Sequence, residues 1–273
     1  MSREEIVELA EGRFGILTQA AQGLPLRPAV VLFNVGLVHR VGPFRQQVQL
    51  ARRLAALGHP VLRFDMPGIG ESAFSASSEF DVISDVFNRL DQHLGAHGYI
   101  IGGICAAADR GWNISLADPR VRGLLLIDAV ARPGRSFRRG QAKLFLARPK
   151  TDWSGMVLRR ILPGKKEPGE EHFRDWPEAG TEPAEMQEIL GKDIRVLAIY
   201  TGGIAHYFLD PGQFRETFGK AVDDPRVDFE FWPDCDHLIM SRNDRLHLHG
   251  RIADWCQLIK PLSSNPASSA QAL

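Results

Sequence analysis

The sequence of 273 residues has few cysteines, no excess of either charge and no long apolar run. Its 33 lysines and arginines balance its 33 aspartates and glutamates, so no net electrostatic field favours nucleic acid as a partner. No apolar stretch approaches the roughly 18 residues that cross a membrane. The start of the chain, MSREEIVELAEGRF, is too polar for a secretion signal. We therefore expect a protein that has no membrane span and does not bind nucleic acid.

The three cysteines are Cys105, Cys235 and Cys256. Their number is odd and their spacing is wide, which excludes a disulfide framework and does not match a zinc site. We therefore expect a cytoplasmic protein whose thiols are reduced. No motif implies a metal ion or an organic cofactor.

Six apolar runs have the length and composition of buried strands, and segments with helical spacing lie between most of them. This alternation predicts an α/β fold with a mostly parallel sheet and helices on both faces. Ahead of the runs, GRFGILTQAA and GLPLRP predict an antiparallel hairpin at the edge of the sheet, which brings the predicted sheet to eight strands. The runs are AVVLF (29–33), PVLRF (60–64), YIIG (99–102), GLLLI (123–127), RVLAIY (195–200) and VDFEFW (227–232), and the helical segments include 44–58, 79–95 and 244–260.

One interval, residues 128–194, is longer than a single crossover helix requires. Within it, residues 131–150 contain seven arginines or lysines and no acid, whereas residues 166–193 contain nine aspartates or glutamates. We predict a helical lid at about 131–190 within a single domain over residues 1–260, followed by a disordered tail over 261–273. The basic stretch is either a docking surface for an anionic acyl carrier or an ordinary solvated face.

The segment GYIIGGICAAADRGW (98–112) places a cysteine where a strand turns abruptly into a helix. This is the form of a nucleophile elbow, in which a strained turn exposes the reactive side chain. Gly103 and Ala107 supply the small flanking residues that such a turn needs. The amino end of the helix favours the thiolate of Cys105, and its free N–H groups can hold an oxyanion. The alternative is that Cys105 packs as a small apolar residue.

The chain resembles the α/β-hydrolases in several motifs. VVLFNVGLVHRVGPFRQQVQLARRLAALGHPVLRFDMPGIGES (30–72) is similar to the first half of that fold. The elbow resembles a bacterial subgroup with Gly-x-Cys-x-Gly-Ala-Asp, which includes hydrolases encoded beside exosortase systems. DPRVRGLLLID (118–128) and TGGIAHYFLDPGQF (201–214) match further segments of related members, and the likeness covers about residues 12–260. Ala107 departs from the usual glycine and makes the turn more crowded.

The resemblance implies a catalytic triad in the order nucleophile, acid, histidine. Cys105 is the candidate nucleophile, and His237, on the loop after the last strand, is the candidate base. The loop after RVLAIY usually carries the acid, but this chain has Thr-Gly-Gly there. Asp128, at the end of GLLLI, is the preferred substitute, and Asp210 is the alternative acid. Asp128 could instead cap the first turn of the lid, and a Cys–His pair without an acid is also feasible.

Candidates for the oxyanion hole are the backbone N–H groups of Ala106 and Gly36. His39, His206 and Tyr207 are candidates to line the substrate pocket, although a loop histidine such as His39 is more often simply exposed to solvent, and an aromatic pair such as His206 and Tyr207 packs under a lid as often as it lines a pocket. Asp109, four residues after the nucleophile, is expected to support the elbow structurally rather than to react.

These inferences predict a Cys-His-Asp enzyme of the esterase or thioesterase type. It would form an acyl-enzyme from a small-molecule acyl substrate, free or carrier-bound, and pass the acyl group to water, an amine or an alcohol. A non-catalytic protein that uses the same fold for binding or scaffolding is the alternative, and the missing carboxylate after Gly203 favours it. Lyase or haloperoxidase-like chemistry is neither supported nor excluded. Fold kinship alone does not decide among them.

Overall fold

The structure is a computed structural model that describes residues 3–95, 97–147 and 174–262. Eight strands form one sheet in the order β1-β2-β4-β3-β5-β6-β7-β8. The strands are β1 (Glu4–Glu8), β2 (Phe14–Thr18), β3 (Ala29–Leu32), β4 (Val61–Phe64), β5 (Tyr99–Ile104), β6 (Val121–Ile127), β7 (Arg195–Thr201) and β8 (Val227–Trp232).

Seven α-helices accompany the sheet in the described part of the chain. They are α1 (Gln46–Ala55), α2 (Glu79–Leu94), α3 (Ala106–Ala117), α4 (Arg135–Ala147), α5 (Glu182–Gly191), α6 (Gly212–Phe218) and α7 (Arg242–Gln257). All six apolar runs fall on strands, and the three segments with helical spacing contain α1, α2 and most of α7. None of the described helices is long and apolar enough to cross a membrane.

The predicted edge hairpin is present, but one of its two strands was assigned wrongly. Strand β2 pairs antiparallel with β1, in register from Glu4 opposite Thr18 to Glu8 opposite Phe14, and not with residues 23–28. The sequence of β1, EEIVE, does not alternate polar and apolar residues, so it carries no clear strand signal, although burial alternates along the strand in the structure. Val7 is buried and Ile6 is exposed, which is the pattern of an edge strand with one solvated face.

Helices cover both faces of the sheet, as predicted. Along β3 the side chains alternate between two apolar clusters, so that Val30 and Leu32 face one side and Val31 faces the other. The first cluster also contains residues of α1 and α7, and the second contains residues of α2, α3, α5 and α6. Both faces of the central strands are therefore withdrawn from water, which explains their continuous Val/Ile/Leu content.

The register of the central strands decides which side chains meet at one edge of the sheet. Ile104 of β5 lies opposite Ile127 of β6, and Ile127 lies opposite Ile199 of β7. The residues that follow these strands therefore emerge side by side at the carboxyl edge, where parallel sheets place their sites.

The predicted lid interval contains α4 and α5, and Glu216 of α6 holds the start of α4 by accepting hydrogen bonds from the Ser136 N–H, at 3.0 Å, and from its hydroxyl, at 2.9 Å. The middle of the interval, residues 148–173, lies outside the described residues. The same holds for residues 263–273 of the predicted tail. The single domain and its lid therefore stay predictions.

Candidate active site

Cys105 occupies the sharp turn between β5 and α3. It is the residue before the first turn of α3, with φ 59° and ψ −122°, a strained conformation for any residue with a side chain. Its N–H continues the sheet by donating to the Ile127 carbonyl at 2.8 Å. The elbow is tightly packed, because a Cβ on Gly103 would lie 3.0 Å from the Cβ of Ala107. The crowding expected from Ala107 is thus accommodated by a glycine opposite it.

The surroundings of the Cys105 thiol favour its charged form. Burial alone would raise the pKa of the thiol. Hydrogen bonds from His237 and from the Ala106 N–H, together with the positive charges of Arg174 and His237, outweigh burial and hold the pKa below its ordinary value. Cys105 as a residue remains partly exposed, whereas Cys235 and Cys256 are buried. A reagent can therefore reach a sulfur atom that ionises readily.

His237 links the thiol to a carboxylate. Its Nδ1 lies 2.7 Å from Oδ2 of Asp128, and the ring also hydrogen-bonds Cys105. The Asp128 carboxylate, followed by the Cys105 hydrogen bond, raises the pKa of His237 to about 9 despite burial. A raised imidazole pKa beside a lowered thiol pKa favours an imidazolium–thiolate pair at neutral pH.

Asp128 is completely buried and every polar group it carries has a partner. Its carboxylate accepts hydrogen bonds from the Thr201 N–H at 2.7 Å and from the Thr201 hydroxyl at 2.8 Å, in addition to the contact with His237. Its N–H donates to Ile199, and its carbonyl accepts from the Tyr207 hydroxyl at 2.8 Å. The backbone has φ 53°, a region that few residues other than glycine adopt, and this dense set of contacts holds it there.

The glycine pair after β7 explains why no carboxylate stands there. A Cβ on Gly202 would lie 1.9 Å from the Pro233 carbonyl oxygen, and one on Gly203 would lie 2.1 Å from the backbone nitrogen of His237. The loop that carries His237 therefore packs directly on the end of β7, where only glycine fits. The candidate acid, Asp128, lies instead at the end of the neighbouring strand β6.

The alternative acid, Asp210, is engaged elsewhere. Its Oδ1 accepts from the Gly212 N–H at 2.9 Å at the start of α6, and its Oδ2 lies 3.3 Å from Nζ of Lys143 on α4. The structure therefore brings Cys105, His237 and Asp128 together and gives Asp210 a contact set of its own.

The loop after β3 carries the other predicted oxyanion group. Gly36 has φ 54° and open space beside its Cα, and its neighbour Val35 belongs to the apolar cluster against which Cys105 packs. Val35 also lines one cavity together with Gly103 and Ile104 of β5, so the loop lies beside the elbow. The Ala106 N–H hydrogen-bonds the sulfur.

The remaining predicted pocket residues differ in environment. His39 Nε2 lies 3.4 Å from a carboxylate oxygen of Asp65. Tyr207 is buried with its hydroxyl on Asp128, so it contacts the candidate acid rather than open pocket space. His206 is exposed and its ring packs edge-on against Tyr207, with 4.7 Å between ring centroids.

A cluster of His39, Asp65 and Glu71 has the donor types of a metal site. However, the guanidinium of Arg40 hydrogen-bonds both carboxylates, at 2.5 Å to Asp65, and the backbone N–H of Arg40 donates to Asp65 as well. The guanidinium of Arg40 is thus already the cation of this cluster. This indicates that the cluster braces the loop after β3 rather than holding a metal ion.

Arg174 is a residue of the site that the sequence reasoning missed. It belongs to no motif, and it lies 65 positions from its main partner, Asp109. A signal did exist: Asp109 faces the interior one turn after the elbow, and a buried carboxylate needs a cation or several donors. Nothing in the sequence indicates which of the many arginines supplies it.

No model of a known protein family matches this sequence, and no curated protein matches it. Solved structures do resemble it. The esterase domain of a Rhodothermus marinus protein aligns over 95% of this chain and 99% of its own, with 16% identity and a TM-score of 0.56. A soluble variant of monoglyceride lipase from Saccharomyces cerevisiae covers 97% and 96%, with 12% identity and a TM-score of 0.59.

The thioesterase domain from the curacin biosynthetic pathway is also similar, over 94% of this chain and 99% of its own, with 14% identity and a TM-score of 0.51. Identities this low establish a shared fold and not a shared reaction. The sheet order, the strand–turn–helix elbow and these structural matches together show that the chain has the α/β-hydrolase fold.

Proposed function

We propose that this protein is a cysteine-dependent acyl hydrolase or acyltransferase that acts on esters or thioesters through a covalent acyl-enzyme. The observation that carries the proposal is the continuous hydrogen-bonded series from the Cys105 thiol through His237 to the buried Asp128. The cysteine at the elbow also supports membership of the subgroup that the sequence resembles.

The proposed reaction begins with the thiolate of Cys105, which attacks the carbonyl carbon of the acyl group. The backbone N–H groups of Ala106 and Gly36 stabilise the oxyanion that forms. The bond to the alcohol or thiol then breaks, and the His237 imidazolium transfers its proton to that leaving group. The product of this half is a thioester between the acyl group and Cys105.

In the second half, an acceptor attacks the thioester while His237 takes its proton. The Cys105 sulfur leaves as thiolate, and the acyl group departs as an acid, an amide or an ester. A thioester reacts with amines more readily than an oxygen ester does, so transfer to an amine is as compatible with a cysteine nucleophile as hydrolysis is. Asp128 keeps the imidazole oriented and stabilises its charge throughout.

The exposed arginines and lysine of α4 support a carrier-bound substrate as one variant of this proposal. Arg135, Arg138, Arg139 and Lys143 are all exposed, and a phosphopantetheine or coenzyme A arm carries the opposite charge. We also propose a reducing, cytoplasmic location, because the mechanism requires Cys105 as a free thiol.

Intact-mass measurement with a panel of activated esters and thioesters tests the proposal. Wild-type protein is expected to gain the mass of one acyl group, and Cys105→Ala is expected to lose both the adduct and turnover. Cys105→Ser is expected to retain slow ester turnover. Equal turnover by the wild type and Cys105→Ala would disprove the covalent mechanism.

A further inference from the structure

Four residues that precede α5, 174–177, form a strap across the elbow helix and the loop after β7. Asp175 accepts a hydrogen bond from the Asn113 side chain of α3 at 2.6 Å. The ring of Trp176 packs edge-on against Tyr207, with 5.3 Å between centroids. The Pro177 carbonyl accepts from the Arg132 guanidinium at 2.5 Å. The strap is therefore fastened at several points along its length.

The first residue of the strap, Arg174, is bound to the elbow helix by two hydrogen bonds. Its Nε lies 2.6 Å from Oδ2 of Asp109, and its Nη2 lies 2.9 Å from Oδ1. The side chains are 13% and 2% exposed, so this bidentate pair is withdrawn from water. A guanidinium in this arrangement has one defined orientation.

The same guanidinium also contacts the residue that holds His237. Its Nη2 donates to the Asp128 carbonyl at 3.1 Å, and its Nη1 lies 3.3 Å from the Tyr207 hydroxyl, which donates to that carbonyl too. Asp128 has a positive φ, and two donors on its carbonyl restrain the peptide group that maintains this conformation. Arg174 is also near enough to interact electrostatically with the sulfur of Cys105.

We propose that Arg174 is a positioning residue of the candidate active site, which holds Asp128 in its strained backbone conformation and supplies positive charge to the thiolate of Cys105. Asp109 holds Arg174 in place, and this explains why a buried carboxylate lies one helical turn after the nucleophile. The inference rests on the proposed function, because the group that Arg174 serves is the candidate nucleophile.

The chain offers a matched control in Arg132. This arginine also packs on Trp176, with its Cζ 5.4 Å from the ring centroid, and it fastens the strap through Pro177. Its side chain hydrogen-bonds Glu182 instead of Asp109 or Asp128. Arg132→Gln therefore weakens the strap without removing a contact to the acid or the charge beside the sulfur.

The test measures the rate of Cys105 alkylation by iodoacetamide as a function of pH, read by peptide mass, alongside steady-state turnover. Arg174→Gln is expected to move the alkylation midpoint upward by about one pH unit and to lower kcat on the order of tenfold, with a smaller change in KM. Arg174→Lys is expected to restore the midpoint, since it keeps the charge, but to recover kcat only in part, since it cannot form the bidentate pair. Arg132→Gln is expected to leave the midpoint unchanged.

Two results would overturn the inference. One is an Arg174→Gln alkylation profile that superimposes on the wild type, and the other is an equal shift from Arg132→Gln, which would assign the effect to the strap as a whole. If Arg174→Gln does not fold, Arg174→Lys decides: wild-type kcat in that variant disproves the positioning role, and a partial kcat with an unchanged midpoint supports it. Failure of the proposed function can be told apart from failure of this inference, because in that case the wild-type protein itself would show neither an acyl adduct nor turnover.

Discussion

Two carboxylates are candidates for the acid that would orient His237: Asp128, which directly follows β6, and Asp210, which lies between β7 and α6. Their contacts distinguish them: Oδ2 of Asp128 lies 2.7 Å from Nδ1 of His237, whereas Asp210 accepts a hydrogen bond from the Gly212 N–H and lies 3.3 Å from Nζ of Lys143. The sequence could not resolve this, since it does not show that Gly203 is required for the close approach of the His237 loop.

We expect Asp128→Asn to lower kcat/KM on the order of a hundredfold, because an amide can neither stabilise the imidazolium nor select its orientation. This is less than the roughly 10⁴-fold loss seen in serine triads, since a thiol needs less help from its base. Asp210→Asn is the matched control and should change turnover by less than about twofold. The measurement is steady-state hydrolysis of one activated thioester, and a larger loss for Asp210→Asn would move the assignment.

The pH dependence of acylation follows from the two shifted pKa values. The pKa of Cys105 is lowered, so the thiolate should form, and the rate should reach its plateau, at a pH below the ordinary pKa of a thiol. The pKa of His237 is raised to about 9, so the proton needed by the leaving group is lost only above that pH. We expect kcat/KM for an alkyl thioester to form a plateau through neutral pH and to fall above about pH 9. A rate that keeps rising beyond pH 9 would contradict the role of the imidazolium.

At the scale of elements, the buried parallel strands and the elbow were predictable because their sequences carry strong local signals. Continuous Val/Ile/Leu runs have few alternatives to a strand covered on both faces. The glycine pair shortly before Cys105, followed by three alanines, predicts a sharp turn from a strand into a helix. The edge hairpin was harder. Strand β1 has the sequence EEIVE, with one side chain in the core, and its pairing with β2 depends on tertiary contacts. The strap could not be predicted from the sequence, because its contacts join residues that are far apart along the chain.

The junction of β7 with the His237 loop gives an element-scale prediction. Gly203→Ala places a methyl group against the backbone of His237, and the loop must move because backbone cannot yield as a side chain does. We expect activity to fall at least about tenfold and the free energy of unfolding to decrease by about 1–3 kcal/mol. The matched control is Gly191→Ala at the end of α5, where a Cβ meets nothing within 4 Å.

Chemical denaturation and turnover assays on the two variants check this prediction. Wild-type activity in Gly203→Ala would mean that the loop does not need its close contact with β7 to place the imidazole.

At the scale of the whole molecule, one fold holds three cysteines in three electrostatic environments. Burial raises the pKa of Cys235 to about 12, although it lies only two residues from His237, and burial raises the pKa of Cys256 on α7 further still. Only at the elbow do a helix amino end, an imidazolium and an arginine converge on the sulfur, so that the pKa falls instead. The α/β-hydrolase scaffold thus activates one thiol while its core suppresses the other two.

We therefore expect iodoacetamide at pH 7 to modify Cys105 at least about a hundredfold faster than Cys235 or Cys256 in the native protein, because only that sulfur is both accessible and ionised. Peptide mass mapping over time measures the three rates separately, and the same experiment in denaturant should make them nearly equal. A binding or scaffolding protein has no reason to maintain such a difference. Comparable native rates at all three positions would therefore favour that alternative and remove the basis for a catalytic thiol.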